Sequence, residues 1–384
     1  MSARCSWAGT APSHKIPTAR HPRLPYIVGF KFKLMLTPRN IIPFEWYEHI
    51  HEKIMVRLVS HPRHPATGLS GLDAASASAP SPSSRRKPIP TSMIDLHTHT
   101  DRSDGTASPA QLVQDAKAMG LQALGITDHD TLEGYDIAAP LAAAAGLELV
   151  CGIELSTRPD PPPDGSRPPS VHLLGYFLQR PASPGFRQWI RGHQESRRER
   201  NRKLIAKLNS LGVDITLEEV QAFGKHLTGR PHFAKVLLRK GYVKTNREAF
   251  DRYLADNASA SVERDEPELV EGVRRIRDGG GLPSLAHPVR LPERDRVSLE
   301  KLLRTLVDNG LLGLEVYHSE HSPEDTALYQ ELAAQFQLSE TGGTDFHGDN
   351  KPSIHLGTGK GHNVNLNYGL LENMRRGGAE TAAR

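Results

Sequence analysis

Short apolar runs carrying a histidine, aspartate or glutamate at or near one end recur along this chain. They are "MIDLHTHTDRSDG" (93–105), "LQALGITDHD" (121–130), "LELVCGIELS" (147–156), "SVHLLGYFL" (170–178), "GLPSLAHP" (281–288), "LLGLEVYH" (311–318) and "LSETGGTDFHG" (338–348). Several are separated by segments with helical punctuation. "SPAQLVQDAKAMG" has Ser108 to cap, Pro109 for the first turn and Gly120 to stop. "GYDIAAPLAAAAG", "SLEKLLRTLVDNG" and "SPEDTALYQELAAQFQ" read the same way, the last capped by Ser322. Strands alternating with helices build a parallel sheet. The pattern therefore predicts an α/β barrel of about seven strands, better than eight.

The rhythm breaks between Pro184 and Glu271, where the chain turns helical and charged. That predicts a barrel from 93–183 and 272–370, interrupted by a helical insert over 184–271. Residues 1–92 differ from both. They carry 13 Lys/Arg against 4 Asp/Glu, whereas the remainder carries 35 against 40. The pI near 9 thus reflects a basic tail on a mildly acidic body, and is no argument for nucleic-acid binding by the body. The Pro/Ser-rich composition of the tail predicts disorder. The simplest expectation is that it lies upstream of a start at Met93; the alternative is a transit-like or partner-binding segment. No run suits a membrane span. The two cysteines, Cys5 and Cys151, support neither a disulfide framework nor a thiolate zinc site, which fits a cytoplasmic setting.

Residues i and i+2 of a strand face one side. His97 and His99 then project together, as do Asp345 and His347. Asp104, His129, Glu154, His172 and His287 sit near other strand ends. In a parallel barrel those ends converge on one mouth. Nine imidazoles and carboxylates there are too many for one metal and costly to bury uncompensated. Two or three divalent ions would balance them. Asp128 and Asp130, flanking His129, read as supporting or turn residues.

The ordered series "DLHTHTDRSDG", "ITDHDT", "GIELS", "VHLLGY", "AHP" and "GGTDFHG" resembles the PHP (polymerase and histidinol phosphatase) family, from Met93 to about Gly359. It is most similar to the branch of stand-alone bacterial enzymes that dephosphorylate 3′,5′-nucleoside bisphosphates and trim RNA from the 5′ end. The resemblance implies a distorted seven-stranded (β/α) barrel and a trinuclear centre. In that reading His97, His99, Glu154 and Asp345 hold the first metal. Glu154 bridges to a second, held also by His172 and His287. Asp104, His129 and His347 hold the third. His97, His99, Glu154, Asp345 and His347 are the catalytic set. The mixed N/O donors suit manganese, with iron or zinc as alternatives. Metal-activated water, not a side-chain nucleophile, would attack phosphorus.

Substrate contacts are expected in the insert. "TGRPHFAKVLL" places Arg230 and His232 at a helix start, where free N–H groups and a guanidinium make a phosphate site. His318 and His321, near the mouth, are further candidates; the alternative is that they merely precede the helix capped by Ser322. Arg197, Arg200 and Arg202 of "ESRRERNRKLIAKL" read first as a solvated face; the sharper alternative has them follow an RNA backbone. The expected partner is a nucleotide or RNA, with no sequence-specific reading of DNA. The competing functions are a small-metabolite phosphatase, such as one acting on histidinol phosphate, and a non-catalytic PHP binding module.

Overall fold

A computed structural model of the chain describes residues 93–161, 167–224 and 226–382; the basic N-terminal segment and the readings attached to it lie outside the described residues. Ten strands and ten α-helices are present in that part. In chain order they are β1 (Met93–Thr98), α1 (Pro109–Ala118), β2 (Ala123–Ile126), α2 (Glu133–Ala145), β3 (Glu148–Thr157) and β4 (Val171–Phe177). Next come α3 (Pro184–Ser210), α4 (Leu217–Gln221), α5 (Arg230–Arg239), α6 (Asn246–Ala249) and α7 (Leu269–Asp278). The chain continues through β5 (Leu282–Leu285), α8 (Arg296–Asp308), β6 (Gly313–His318), α9 (Pro323–Gln335) and β7 (Ser339–Gly343). It ends with the short β8 (Ile354–His355), β9 (Gly359–Lys360) and β10 (Leu366–Asn367), then α10 (Tyr368–Ala382).

The helix punctuation acts as its chemistry requires. Ser108 Oγ accepts from Gln111 N at 3.2 Å, satisfying an amide the helix itself leaves free. Ser322 and Asp325 cap α9 reciprocally. Gly146 ends α2 in the left-handed region at φ 61°.

The main sheet runs β10-β1-β2-β3-β4-β5-β6-β7. Its ends meet: Asp345 N donates to His97 O at 2.8 Å and His99 N to Phe346 O at 2.9 Å. A Cβ on Gly343 would lie 2.2 Å from His97 N, so only glycine lets β7 approach β1 this closely. Seven strands form the barrel. An eighth, the two-residue β10, pairs antiparallel with β1 outside the expected set.

The barrel is not all parallel. β4 runs antiparallel to both β3 and β5. Parallel neighbours need a crossover of a dozen or more residues, usually a helix. The Pro-rich link between β3 and β4 has the wrong composition for one, so the chain turns straight back.

Four apolar clusters result, two of them joined by α3. In the barrel, Leu269, Val273 and Ile276 of α7 and Phe186 and Ile190 of α3 are buried with Ile153, Leu155 and Leu173 of the sheet. In the insert, Leu204 and Leu208 from the far half of α3 join Phe233, Val236, Leu237 and Leu254. Each such leucine contributes roughly 1.5–3 kcal/mol by leaving water. Among the described residues, no helix is long and apolar enough to cross a membrane.

Candidate metal centre

His97 closes the buried face of β1, and His99 follows where the strand ends. Glu154 stands in the middle of β3, and Asp345 lies two residues past β7. The seam between β1 and β7 brings them together. His99 Nε2 lies 3.0 Å from Glu154 Oε2 and 3.3 Å from Asp345 Oδ1; His97 Nε2 lies 3.2 Å and 3.5 Å from the same two oxygens. The other oxygen of Glu154 faces the opposite way. Oε1 is 2.6 Å from His172 Nδ1 and 2.7 Å from His287 Nε2. Glu154 is therefore bifacial, with a donor set on each side. A third group joins Asp104, His129 and His347 to His99. His347 Nε2 is 3.2 Å from Asp104 Oδ1, and His129 Nε2 is 3.9 Å from Asp104 Oδ2. All nine residues read from the sequence thus surround one mouth.

His172 reaches that mouth for a reason the strand-end argument missed. It is the second residue of β4, and β4 is reversed, so its start lies beside its neighbours' finishes. Asp345 and His287 also depart from regular geometry, at φ 58° and 26°, as does Asp130 at φ 53°. Such non-glycine residues cost of order 1–3 kcal/mol each and gather at functional sites.

Four supporting residues, Glu315, Arg290, Lys351 and Asp95, were absent from the sequence reading. Glu315 of β6 is fully buried; its Oε1 lies 2.8 Å from His97 Nδ1 and its Oε2 accepts from His287 N at 2.6 Å. It holds the His97 ring so that Nε2 faces the cluster. His318 accepts from Glu320 N through Nδ1 and turns Nε2 toward Asp345 Oδ2, 3.4 Å away. Arg290 and Lys351 donate to that same oxygen at 2.8 and 2.6 Å, leaving Oδ1 to the histidines. Asp95 accepts from Thr344 and Gly357 and ties β7 and the following loop to β1. A carboxylate inside an otherwise apolar strand run, as in "MIDL" and "GLEV", was the available signal for Asp95 and Glu315. Asp128 accepts from Thr100 and Ser103, a supporting role as expected.

Burial opposes charge throughout, yet the carboxylates stay ionised. His129, His172 and His97 hold Glu154 well below the usual carboxylate range. His347 and His129 do so for Asp104, and Lys351, His347 and Arg290 for Asp345. Burial lowers His129 and His287 to about 3, so both rings are neutral and able to donate a lone pair. Despite burial, Glu315 and Glu154 hold His97 well above its ordinary value, and Asp345 and Glu154 lift His99 to about 9. Within the nine-residue cluster two buried ring nitrogens, His99 Nε2 and His129 Nδ1, have no hydrogen bond among the described residues. Ionised oxygens, the neutral imidazoles of His129 and His287 and unbonded nitrogens in one pocket, without a thiolate, fit divalent cations, which would take the place of the protons held on His97 and His99.

Above the cluster a cavity of about 180 Å³ opens toward the insert. His129 and His172 line one wall; Arg197, Arg200, Arg230 and Arg264 line the other. Arg197 and Arg264 both pair with Asp130, which they hold well below its ordinary pKa against its burial. Arg230 donates to Asp256 Oδ1 at 3.2 Å and to Leu254 O at 3.3 Å. Arg200 is 7% exposed, and among the described residues its only hydrogen bond is from Nε to Asn201 Oδ1 at 3.0 Å. Burial and the neighbouring Arg197, Arg230 and Arg264 hold its pKa well below the guanidinium range. Arg197 and Arg200 therefore do not belong to a solvated face; Arg202 does, paired with Glu199.

Two expected substrate contacts are placed otherwise. His232 is buried, and its Nδ1 accepts from Gly229 N at 2.9 Å, closing the first turn of α5. His321 is buried on Tyr329, with Nδ1 2.8 Å from Val316 O. Neither is among the residues lining the cavity.

A closed β/α barrel with carboxylates and imidazoles converging on one mouth, facing an arginine-lined cavity, defines a metal-dependent hydrolase of phosphate esters. The PHP domain profile matches residues 95–259. A 3′,5′-nucleoside bisphosphate phosphatase of Chromobacterium violaceum is 30% identical over 256 residues, covering 66% of this chain and 87% of that protein. A 5′-3′ exoribonuclease of Haemophilus influenzae is 29% identical, covering 67% of this chain and 90% of its own length. The crystal structure of a protein from Bifidobacterium adolescentis, described as a metal-dependent phosphoesterase, superposes with a TM-score of 0.63 at 28% identity, covering 77% of this chain and all of that one. The chain belongs to the PHP family.

Proposed function

We propose that the protein hydrolyses terminal phosphate esters of nucleotides, with 3′,5′-nucleoside bisphosphates and the 5′ ends of RNA as its substrates, in a cytoplasmic setting. The observation that carries this reading is the placement of the nine-residue cluster across one cavity from a buried arginine, Arg200, that has no ion pair among the described residues. The assigned ligand sets are His97, His99, Glu154 and Asp345; Glu154, His172 and His287; and Asp104, His129 and His347. Two to three divalent ions, manganese foremost, would occupy them. Such ions, when bound, make a water acidic and neutralise phosphoryl oxygens.

The chain's own residues do the positioning. Glu315 fixes His97, and Glu154 presents one oxygen to each half of the cluster. The insert, residues 184–271, supplies the wall that recognises the rest of the substrate. There Arg200 takes a second phosphate; Arg230, already shared with Asp256, adds less. A buried cation whose carboxylate neighbour, Glu266, is already shared with three other arginines is costly unless the ligand brings a counter-ion, which favours a substrate with two anionic groups over a metabolite with one.

The test is phosphate release by the full chain, stripped with chelator and reloaded with manganese, iron(II) or zinc. Adenosine 3′,5′-bisphosphate and 5′-phosphorylated RNA should be turned over, manganese giving the highest rate, and histidinol phosphate should be poor. Equal rates in chelator, or preference for histidinol phosphate, would overturn the reading.

A further inference from the structure

A second cavity, about 440 Å³, lies on the outer side of α5. Pro231 and Phe250 line both it and the cavity over the cluster, so the two adjoin through one shared wall. Phe250 opens the turn of π-helix Phe250–Leu254, a distortion frequent at functional sites. One side of the groove is cationic and apolar. Lys235 Nζ stands 5.7 Å from the centre of the Phe223 ring and the Arg239 guanidinium 4.8 Å. Leu238 beside them is 39% exposed. Neither Lys235 nor Arg239 has a hydrogen bond or an ion pair among the described residues. Lys235 is half-buried, and that burial lowers its pKa, while Asp104 and Asp349 pull the other way. The facing side is Asp349 and Asn350. That loop is anchored to the cluster: Asp349 N donates to Thr106 Oγ1 and Asn350 Nδ2 to the Asp104 carbonyl.

We infer that this groove receives the nucleotides that follow the scissile bond of a single-stranded polynucleotide. The inference rests on the reading of the cluster as a phosphoesterase centre. Cations without an ion pair, beside an exposed leucine and the half-buried rings of Phe223 and Phe250, are what a single strand uses: phosphates meet the charges and bases cover the ring edges left open. The strand's phosphates follow α5, where Lys235 and Arg239 stand, and its bases and sugars face Asn350 and Asp349, whose carboxylate keeps phosphates off that side. Continuity with the cavity over the cluster selects this occupant. The basic stretch of α3 does not offer such a path, because Arg197 and Arg200 are buried and Arg202 is paired.

The test is binding of a fluorescein-labelled RNA hexamer to the full chain in chelator, followed by anisotropy, so no turnover is needed. The hexamer should bind at least tenfold tighter than adenosine 3′,5′-bisphosphate and than a 12-base-pair RNA duplex. Arg239→Glu, at an exposed position that should not disturb folding, should weaken the hexamer about tenfold. It should also reduce the salt slope by about 0.7, as expected for one lost phosphate contact on a single strand. Lys235→Met should act in the same direction. Bisphosphate binding should stay within twofold in Arg239→Glu. The groove assignment is overturned if Arg239→Glu binds the hexamer like wild type, or if hexamer, duplex and bisphosphate bind alike. Hydrolysis of the bisphosphate with no preference for the hexamer would reject the groove and leave the proposed reaction standing.

Discussion

Arg200→Met separates the cost of a residue from its use. The substitution keeps an unbranched side chain of similar length and removes the charge. In the free protein Arg200 is 7% exposed, carries one hydrogen bond among the described residues, and sits among Arg197, Arg230 and Arg264; the carboxylate that offsets them, Glu266, is already shared with Arg158, Arg167 and Arg264. Replacing buried ionic groups by apolar ones is commonly neutral or stabilising by about 1–4 kcal/mol. Here like charges add to desolvation, while Asn201 Oδ1 loses its donor, a loss of about 1 kcal/mol. A net gain of roughly 1–3 kcal/mol follows, or a Tm higher by about 2–10 °C for a body of this size. Activity should move the other way. Losing a charge-assisted contact worth about 1.5–3 kcal/mol lowers kcat/KM for adenosine 3′,5′-bisphosphate roughly 10- to 150-fold. A simple aryl phosphate, without a second anion, should change by no more than a few fold. Calorimetry and steady-state phosphate release on the manganese-loaded chain give both numbers. A lower Tm with an unaltered kcat/KM would refute the reasoning and make Arg200 a structural residue.

Two further outcomes follow from groups around the same mouth. Glu315→Gln keeps the shape beside His97 but weakens its grip on Nδ1; metal affinity, read by competition with a chelating dye, should fall about 10- to 100-fold. An unchanged affinity would remove Glu315 from the positioning role. His232 carries a pH signature, because burial lowers its pKa from 6.5 to about 4. A base depressed in the folded state favours folding fully above its unfolded pKa. As pH falls from 6.5 toward 4 the unfolded chain takes up the proton first and stability declines, by at most about 3 kcal/mol at 1.36 kcal/mol per unit. In urea melts at pH 7 and pH 5 the chelated wild type should lose more stability than His232→Asn; equal losses would rule the assignment out.

Much of this was legible in the sequence, because local chemistry and tertiary role coincide there. Ser108, Pro109, Gly146 and Ser322 punctuate helices by hydrogen bonding, a ring-fixed φ or left-handed backbone, properties that need no distant partner. The nine cluster residues stood out because imidazoles and carboxylates rarely cluster on strand ends without a use. What escaped notice depended on pairing across the sheet. The reversal of β4 comes from the link before it, and nothing within "SVHLLGYFL" marks direction. His172 was placed at the right mouth by an argument that fails for its own strand. Arg200 is instructive in the other sense. Arg197, Arg200, Leu204 and Leu208 follow one another at helical spacing, so the two cations share the face that the leucines bury. Charge suggested solvent, and periodicity, the stronger signal, placed them inside. His232 was taken for a substrate contact from its place at a helix start and His321 from its nearness to the mouth, whereas a backbone amide and a carbonyl already engage Nδ1 of each ring.

The reversed strand has a mechanical corollary. Because β4 descends, the chain leaves it at the end of the barrel opposite the cluster, and α3 must climb back past the whole sheet. Its 27 residues span about 40 Å at 1.5 Å each. The same rigid rod is rooted in one apolar body through Phe186 and Ile190 and in the other through Leu204 and Leu208. Between those anchors it works as a keyed shaft. Adding or deleting a single residue there would turn everything beyond it by about 100°, swinging Arg197 off Asp130 and Arg200 out of the cavity. Length variation among chains of this design should therefore collect in the turns around α4 and α6 and spare the stretch from Ile190 to Leu204, whatever residues fill its outer face.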